Sequence, residues 1–336
     1  MVRIRETSRG VMKTVLHRIL AVCGLALAGT ALVCPQVRNE SGFRLRSDVN
    51  LVLVEATVRD QNGAIVDNLP REHFRVREDG IEQTISYFSR DELPLAVALV
   101  VDRSGSMGPV LRQLHHTALS TLSLLKPDDQ VALFDFAARA EQLVDLTTDR
   151  QRVAERIARV HAGGATVISD ALFEAALYLG RAAPNRRHAV ILVSDNENTL
   201  RGYSNETRVI RQALETETAV YSIRVAEGLH PQMMNVLLPI FREVSVQEIA
   251  RQTGGEVIEA QGLSSIRLAM ATAISRLRQR YSLGYYSTNH GTVGAFRGIE
   301  VRVAGRPEAT RQPYAVFARR GYYVHGASSS SLDAHP

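Results

Sequence analysis

The sequence predicts an α/β protein with a doubly wound, mainly parallel sheet flanked by helices, joined to a smaller β-sandwich-like module. Two runs, 95–101 and 189–193, are apolar without interruption, which is typical of strands that are buried on both faces of a parallel sheet. The segments around them alternate between strand patterns and helical spacing, as in doubly wound folds. Shorter alternating segments near both ends of the chain predict the smaller β module.

The composition is that of an ordinary globular protein, with 45% hydrophobic and 22% charged residues in 336. The net charge is +5, but residues 1–34 hold five basic residues and one acidic residue, so the rest of the chain is nearly neutral. No basic stripe is present, and we therefore expect no nucleic-acid partner.

Residues 1–34 are predicted to be a signal peptide or an N-terminal anchor, followed by a linker at 35–47. A basic stretch precedes fifteen uncharged residues at 19–33, which is short for a spanning helix of ~20 residues. We therefore expect an exported protein that is periplasmic, cell-surface or secreted, with any membrane association through this segment alone. Both cysteines, Cys23 and Cys34, lie here, so the body is not a disulfide scaffold.

Residues 48–92 are predicted to form an N-terminal β module. An Asn62-Gly63 pair closes the first strand and favours a type I′ turn, in which both central residues have positive φ. A second turn is predicted at 78–80, where the sequence is Glu-Asp-Gly. The strands are expected at 51–58, 74–77 and 81–88.

Residues 95–280 are predicted to form the doubly wound domain. Its strands are expected at 95–102, 130–137, 188–194, 219–225 and 256–259, and its helices at 110–125, 150–162, 169–181, 245–252 and 263–280. Residues 281–324 return to a strand pattern and are expected to pair with the N-terminal module, so that one β module is split by the α/β domain. Their strands are expected at 281–286, 298–303 and 314–323, and the Ser-rich tail at 325–336 is expected to be disordered.

Polar side chains follow both of the buried strands. Asp102 ends the first and is followed by Ser104 and Ser106, and Asp195 ends the second. Thr166, which follows a glycine-containing turn at 163–165, contributes a third hydroxyl. Because ligands bind at the carboxyl ends of strands in open α/β sheets, these side chains are candidates for one site. Oxygen donors with two negative charges suit a hard dication such as Mg²⁺ or Mn²⁺.

The order Asp102-Arg103-Ser104-Gly105-Ser106, then Thr166, then Asp195 resembles the metal-ion-dependent adhesion site (MIDAS) of von Willebrand factor A (VWA) domains. This resemblance covers roughly 95–280. The N-terminal module and the ending at 320–323 resemble more narrowly the acidobacterial VWFA-related family, over about 48–323. The resemblance implies a non-enzymatic binding module in which these five residues hold Mg²⁺ or Mn²⁺ and a partner protein supplies an Asp or Glu.

The sequence departs from the family pattern at two places. Ala165 stands where the family has a second glycine before Thr166, and Asn196 stands where Asp195 is usually followed by glycine. Neither change removes a ligand, and asparagine tolerates positive φ well.

The residues beside the ligands are expected to form a partner-binding rim, made of Arg103, Met107, Asn196 and Glu197. Asp135 is either a supporting partner of the site or an ordinary aspartate. No catalytic residue is assigned, because Ser106 lacks a Gly-x-Ser-x-Gly context and no phosphate-binding loop is present. Two alternatives stay open: a metal-dependent hydrolase that uses the same site, and a VWA domain with a purely structural role.

Overall fold

The computed structural model describes residues 51–90, 93–225, 244–289, 292–304 and 314–324. The expectations for 1–34, 35–47 and 325–336 lie outside these residues. Within the described ranges, no helix combines the length and the apolar character that crossing a membrane requires.

A six-stranded sheet forms the centre of the larger domain. Its first five strands in spatial order run parallel, and the sixth runs antiparallel at the edge. All residues of its two central strands, β8 (Arg187–Ser194) and β5 (Leu95–Asp102), are buried, as the apolar runs predict. The strands in spatial order are β10 (Val257–Ala260), β9 (Thr218–Val225), β8 (Arg187–Ser194), β5 (Leu95–Asp102), β6 (Gln130–Phe136) and β7 (Ala140–Thr147).

Successive residues of a strand point to opposite faces, so an uninterrupted apolar run makes both faces of the sheet apolar. Helices cover both of these faces. In β5, Leu99 packs in the core cluster of one face and Val100 in that of the other. The first face carries α1 (Gly108–Leu122), α2 (Arg150–Ile157) and α6 (Ile266–Arg278), and the second carries α3 (Ile168–Ala182), α4 (Glu206–Glu215) and α5 (Val246–Thr253). The predicted doubly wound fold class is confirmed.

Two elements of the larger domain were not predicted from the sequence. The edge strand β7 exposes polar residues, so it has no apolar run. Helix α4 buries only Val209, Ala213 and Leu214, although these residues follow helical spacing. In addition, α2 ends at Ile157 instead of continuing to 162.

The smaller module consists of two four-stranded antiparallel sheets with a shared apolar core between them. Both sheets combine strands from the two ends of the chain: β11 lies between β1 and β4 in one sheet, and β12 pairs with β2 in the other. The strands are β1 (Leu51–Arg59), β2 (Phe74–Glu78), β3 (Ile81–Gln83), β4 (Ile85–Ser89), β11 (Tyr281–Tyr286), β12 (Phe296–Val303), β13 (Ala315–Ala318) and β14 (Gly321–Tyr323).

Two details of this module differ from the expectation. The single strand expected at 314–323 is two short strands, β13 and β14, which belong to different sheets. At the Asn62-Gly63 pair only the glycine has positive φ, because the Asp60 carboxylate accepts the N–H groups of Asn62 and Ala64 and sets a different turn. The type I′ combination occurs instead at Asp79 (φ 48°) and Gly80 (φ 84°), between β2 and β3.

A buried carboxylate joins the N-terminal and C-terminal strands of the sandwich. Glu78, at the end of β2, is 1% exposed. Its oxygens accept hydrogen bonds from Tyr285 (2.8 Å), Ser287 (2.7 Å) and Tyr322 (3.2 Å). A buried carboxylate is stable only when such donors replace its hydration, so the three hydroxyls fix the pairing of the two chain ends.

Replacing Tyr285 with phenylalanine is expected to destabilise the protein, because it removes one of the donors of a buried carboxylate. We expect a loss of about 1–3 kcal/mol in the free energy of unfolding, measured by urea denaturation. The neighbouring Tyr286 is 49% exposed and provides the matched control. Equal urea midpoints for the Tyr285→Phe and Tyr286→Phe variants would contradict the proposed role of the hydrogen bond.

Ion pairs connect the sandwich with the larger domain. Glu55 of β1 pairs with Arg187 of β8 at 2.6 Å and with Arg280 at 3.6 Å. Arg59, at the end of the same strand, pairs with Glu256 at 3.1 Å. The side chains of Arg187 and Arg280 are 4% and 5% exposed, so the larger domain buries cations whose partner belongs to the sandwich.

Candidate functional site

The site begins with Asp102, the last residue of β5. Its carboxylate is completely buried. One oxygen accepts the N–H of Ser104 at 2.8 Å, and the other accepts the hydroxyl of Ser194, at the end of β8, at 2.6 Å. Because β5 and β8 are parallel neighbours, their carboxyl ends meet at one edge of the sheet. The two strand ends are therefore joined through this carboxylate.

A chain of side-chain oxygen atoms leads from the buried loop to the surface. The hydroxyls of Ser104 and Ser106 are 3.2 Å apart, and Ser106 donates to the Asp195 carboxylate at 2.7 Å. The other Asp195 oxygen accepts the N–H of Glu197 at 2.9 Å. Ser104 is buried and Ser106 is exposed, so the far end of this chain is open to an incoming group.

The loop that carries Thr166 lies against both of the other loops. The N–H of Gly163 donates to the carbonyl of Arg103 at 2.7 Å. Thr166 donates its N–H to the hydroxyl of Thr199 at 2.7 Å, and its carbonyl accepts the N–H groups of Thr199 and Leu200. Within the described ranges the Thr166 hydroxyl forms no hydrogen bond to the other four predicted ligands. Its backbone is in place, while its side chain stays outside their network.

The electrostatics of the site favour a cation. Burial raises the pKa of the Asp102 carboxyl from 3.8 to about 6, hydrogen bonds from Ser194 and Ser104 oppose this rise, and the negative charge of Asp195 adds to it. In the described part of the chain, neither Asp102 nor Asp195 forms an ion pair with an arginine or lysine. Two adjacent carboxylates without a compensating charge are a suitable environment for a divalent ion.

The donor set is the remaining test of a metal. Across the residues that the structure describes, no cluster of three or more His, Cys, Asp or Glu side chains is present. A site here therefore depends on two carboxylates together with hydroxyls, which are the hard oxygen donors that Mg²⁺ accepts. The predicted ligands fit such an ion in chemistry and charge.

Two backbone positions of the site require unusual conformations. Asn196 has φ 61°, as expected for a residue that replaces glycine there. Gly164 has φ 99°, and a Cβ atom on it would lie 3.0 Å from the Cβ of Ala137. The loop before Thr166 thus packs closely on the end of β6, and a larger residue at 164 would displace it.

The structure revises the predicted rim. Met107 is only 1% exposed and belongs to the hydrophobic core, so its assignment to a partner-binding surface is wrong: the short helical turn at Gly105–Met107 directs it inward. The side chain of Asn196 accepts a hydrogen bond from Ser222 at 2.9 Å. Glu197 is exposed beside Asp195, where a partner can reach it.

Arg103 faces the protein more than the solvent. Its guanidinium pairs with Asp135 at 3.4 Å and donates to the carbonyl of Gly163 at 3.3 Å. Burial raises the pKa of Asp135, and the charge of Arg103 opposes that rise. Asp135 thus contacts the site indirectly, through an arginine that spans two of its loops.

Several supporting residues were not found from the sequence. Ser194 holds the Asp102 carboxylate, and Thr199 holds the backbone of Thr166. The side chain of Asn198 accepts the N–H of Ile168 at the start of α3. Asp170 accepts the N–H groups of Tyr203 and Ser204 and so fixes the 200–204 loop. Ser194 and Asn198, which lie within three residues of Asp195, had positions that pointed to the site.

Comparison with known proteins gives one family match. Residues 97–197 match the family described as von Willebrand factor type A domain. No curated protein matches the chain.

Solved structures that resemble the chain do so at low identity. BatB from Bacteroides thetaiotaomicron is 18% identical, with a TM-score of 0.43, over 55% of this chain and 98% of that one. A von Willebrand factor type A protein from Catenulispora acidiphila is 11% identical, with a TM-score of 0.46, over 83% and 74%. The PilB minor pilin from Streptococcus sanguinis is 12% identical, with a TM-score of 0.42, over 56% and 62%.

The family match extends from β5 to the loop after β8. It includes all five predicted ligands, Asp102, Ser104, Ser106, Thr166 and Asp195. On this ground, residues 97–197 are identified as similar to the von Willebrand factor type A domain.

Proposed function

We propose that this protein is an exported, non-enzymatic binding module that holds Mg²⁺ or Mn²⁺ at the end of its parallel sheet and binds an Asp or Glu side chain of a partner protein. The observation that carries the proposal is the hydrogen-bonded chain from Asp102 and Ser104 through Ser106 to Asp195. It gathers oxygen donors from two strand ends, and its outer part is open to solvent.

The ligands in this proposal are Asp102, Ser104, Ser106, Thr166 and Asp195. When bound, a hard dication supplies positive charge and an open coordination position for a carboxylate. Asp102 is already oriented by Ser104 and Ser194, and Asp195 by Ser106 and Glu197. This preorganisation means that few side chains must be ordered when the ion binds.

The module at 48–92 and 281–324 supports a VWA domain at 95–280, and the narrower similarity to the acidobacterial VWFA-related family is part of this proposal. Export rests on the sequence pattern of residues 1–34.

Replacing Thr166 with alanine is expected to weaken partner binding more than metal binding. Asp102, Ser104, Ser106 and Asp195 still hold the ion, while the Thr166 hydroxyl, which lies outside their hydrogen-bonded network, is free to join the ion when a partner binds. We expect Mg²⁺ affinity to fall less than tenfold in calorimetry, and partner capture from envelope extract to fall by more. Thr272→Ala, on α6, is the matched control.

Two results would contradict the proposal. One is partner capture that is equal in Mg²⁺ and in EDTA. The other is turnover of a phosphate or acyl ester by the pure protein with Mg²⁺ that stops in the Asp102→Ala variant, because this would favour the hydrolase alternative.

A further inference from the structure

A groove begins beside the Thr166 loop and follows helix α3. Its volume is about 600 Å³, and Val167 and Leu200 line the end next to Thr166. The other end lies at Arg181, in the last turn of α3. The groove therefore runs from the loop that carries Thr166, one of the proposed ligands, along the surface of the larger domain.

Two exposed arginines lie at opposite ends of this groove. Arg139 lies two residues after Ala137, whose carbonyl accepts the N–H of Val167 at 2.9 Å, so it is next to the Thr166 loop. Arg181 is at the far end. Within the part of the chain that the structure describes, neither Arg139 nor Arg181 forms an ion pair. Arg201 is a third guanidinium in the lining.

The carboxylates in the groove are already engaged. Asp170 is 7% exposed and accepts two backbone N–H groups, those of Tyr203 and Ser204. Glu174 accepts the hydroxyl of Tyr203. The groove therefore presents guanidinium groups to an incoming ligand, while its acidic groups are held by donors of the protein itself.

The groove also has an apolar border. Leu200 is 43% exposed and Tyr203 is 56% exposed, and both belong to the lining. Tyr178 also lines the groove, and its hydroxyl accepts the N–H of Leu146 at 2.9 Å. An exposed aromatic beside arginines is a composition that is enriched in protein-binding surfaces.

The length of the groove limits what can fill it. From Ile168 to Arg181 helix α3 rises about 20 Å, at 1.5 Å per residue. An extended segment advances about 3.3 Å per residue, so about six residues span this distance.

We infer that the groove receives an extended acidic segment of the partner protein. One carboxylate of that segment completes the proposed metal site, and a second carboxylate, up to about six residues away, pairs with Arg139 or Arg181. An apolar side chain between the two packs against Leu200 and Tyr203. This inference rests on the proposed function and specifies the chemistry of the partner: a linear segment with at least two acidic residues.

The test uses a displayed library of random linear peptides, selected on the full-length protein in Mg²⁺ and eluted with EDTA. We expect the enriched peptides to carry two acidic positions no more than about six residues apart, with an apolar residue between them. The best peptide, made synthetically, should bind at least tenfold more weakly to at least one of the two groove variants, Arg139→Glu and Arg181→Glu. Calorimetry should give unchanged Mg²⁺ affinity for both.

The matched control is Arg152→Glu, which reverses the charge of an exposed side chain on α2, on the opposite face of the sheet. Peptides that carry a single acidic residue, or that bind both groove variants like the control, would overturn the inference. If such peptides still need Mg²⁺ and Asp102, the proposed function stands without the groove. A selection that yields no EDTA-eluted peptide would also overturn it, because a linear ligand is required.

Discussion

Replacing Asp102 with asparagine is expected to abolish measurable Mg²⁺ binding and, in the same variant, to stabilise the metal-free protein at pH 7.5. The carboxylate is buried without a cationic partner among the described residues, and burial raises its pKa to about 6. The rise in pKa from 3.8 corresponds to a cost of about 3 kcal/mol in the free energy of unfolding when the carboxyl is ionised, at 1.36 kcal/mol per pKa unit. An amide keeps an acceptor for Ser104 and removes the buried charge.

The pH dependence follows from the direction of this shift. The folded state binds the Asp102 proton more tightly than the unfolded state. The protonated carboxyl therefore contributes to the free energy of unfolding in full below pH 3.8, and this contribution is lost as the pH rises through about 6. The asparagine variant lacks this loss. Its advantage in free energy of unfolding should therefore be largest above pH 7 and should vanish near pH 4.

Thermal denaturation in EDTA at several pH values, with calorimetric titration of Mg²⁺ at pH 7.5, measures both effects. Asp128→Asn, at an exposed aspartate outside the site, is the control for the loss of a surface charge. Stoichiometric Mg²⁺ binding by the Asp102→Asn variant would rule out Asp102 as a ligand. A stability difference that is the same at pH 4 and pH 7.5 would contradict the electrostatic explanation.

Residues 48–92 are expected to be unfolded when they are produced without residues 281–324. Strand β11 pairs with β1 from Leu51↔Tyr286 to Ala56↔Tyr281, and it also pairs with β4. Strand β2 pairs with β12 over five residues. Without the C-terminal strands, both sheets lose interior members and the shared core is exposed, which a segment of this size does not survive.

Circular dichroism and amide proton dispersion measure this result. Addition of the 281–324 peptide to the 48–92 fragment should restore strand signal, and residues 95–280 should fold alone, because both core clusters of the six-stranded sheet lie within them. Their stability should be lower than in the whole chain, since Arg280 loses its contact with Glu55. A stable 48–92 fragment would instead indicate two consecutive domains.

The sequence predicted those parts of the fold in which a local residue pattern is compatible with only one degree of burial. The apolar runs of β5 and β8 can only be buried on both faces, so they indicate a parallel sheet with helices on either side. Strand β7 could not be found in this way, because its antiparallel pairing with β6 at the sheet edge leaves most of its side chains at least partly exposed. Helix α4 was missed although its buried residues, Val209, Ala213 and Leu214, follow helical spacing.

The same reasoning from local patterns predicted the residue types of the candidate ligands and their order along the chain. Asp102 and Asp195 follow buried strands directly, and this position alone brings them to one edge. The supporting contacts could not be predicted in this way. The hydrogen bond from Thr166 to Thr199 joins residues that are 33 positions apart, and the ion pair between Arg103 and Asp135 depends on the direction of the arginine side chain. The burial of Met107 was missed for the same reason, since a one-turn helix decides which way its side chain points.

By itself the sequence determined the fold class and the chemical nature of the candidate site, because hydrophobic periodicity and residue type act over short stretches of chain. The tertiary structure decided which ends of the chain share a sheet, which hydroxyls hold Asp102, and that the Thr166 side chain stays outside the hydrogen-bonded network. It also decided that Arg139 and Arg181 line one groove with the Thr166 loop. These features depend on contacts between residues far apart in sequence, whose geometry is set only when the sheet, its helices and the sandwich pack together.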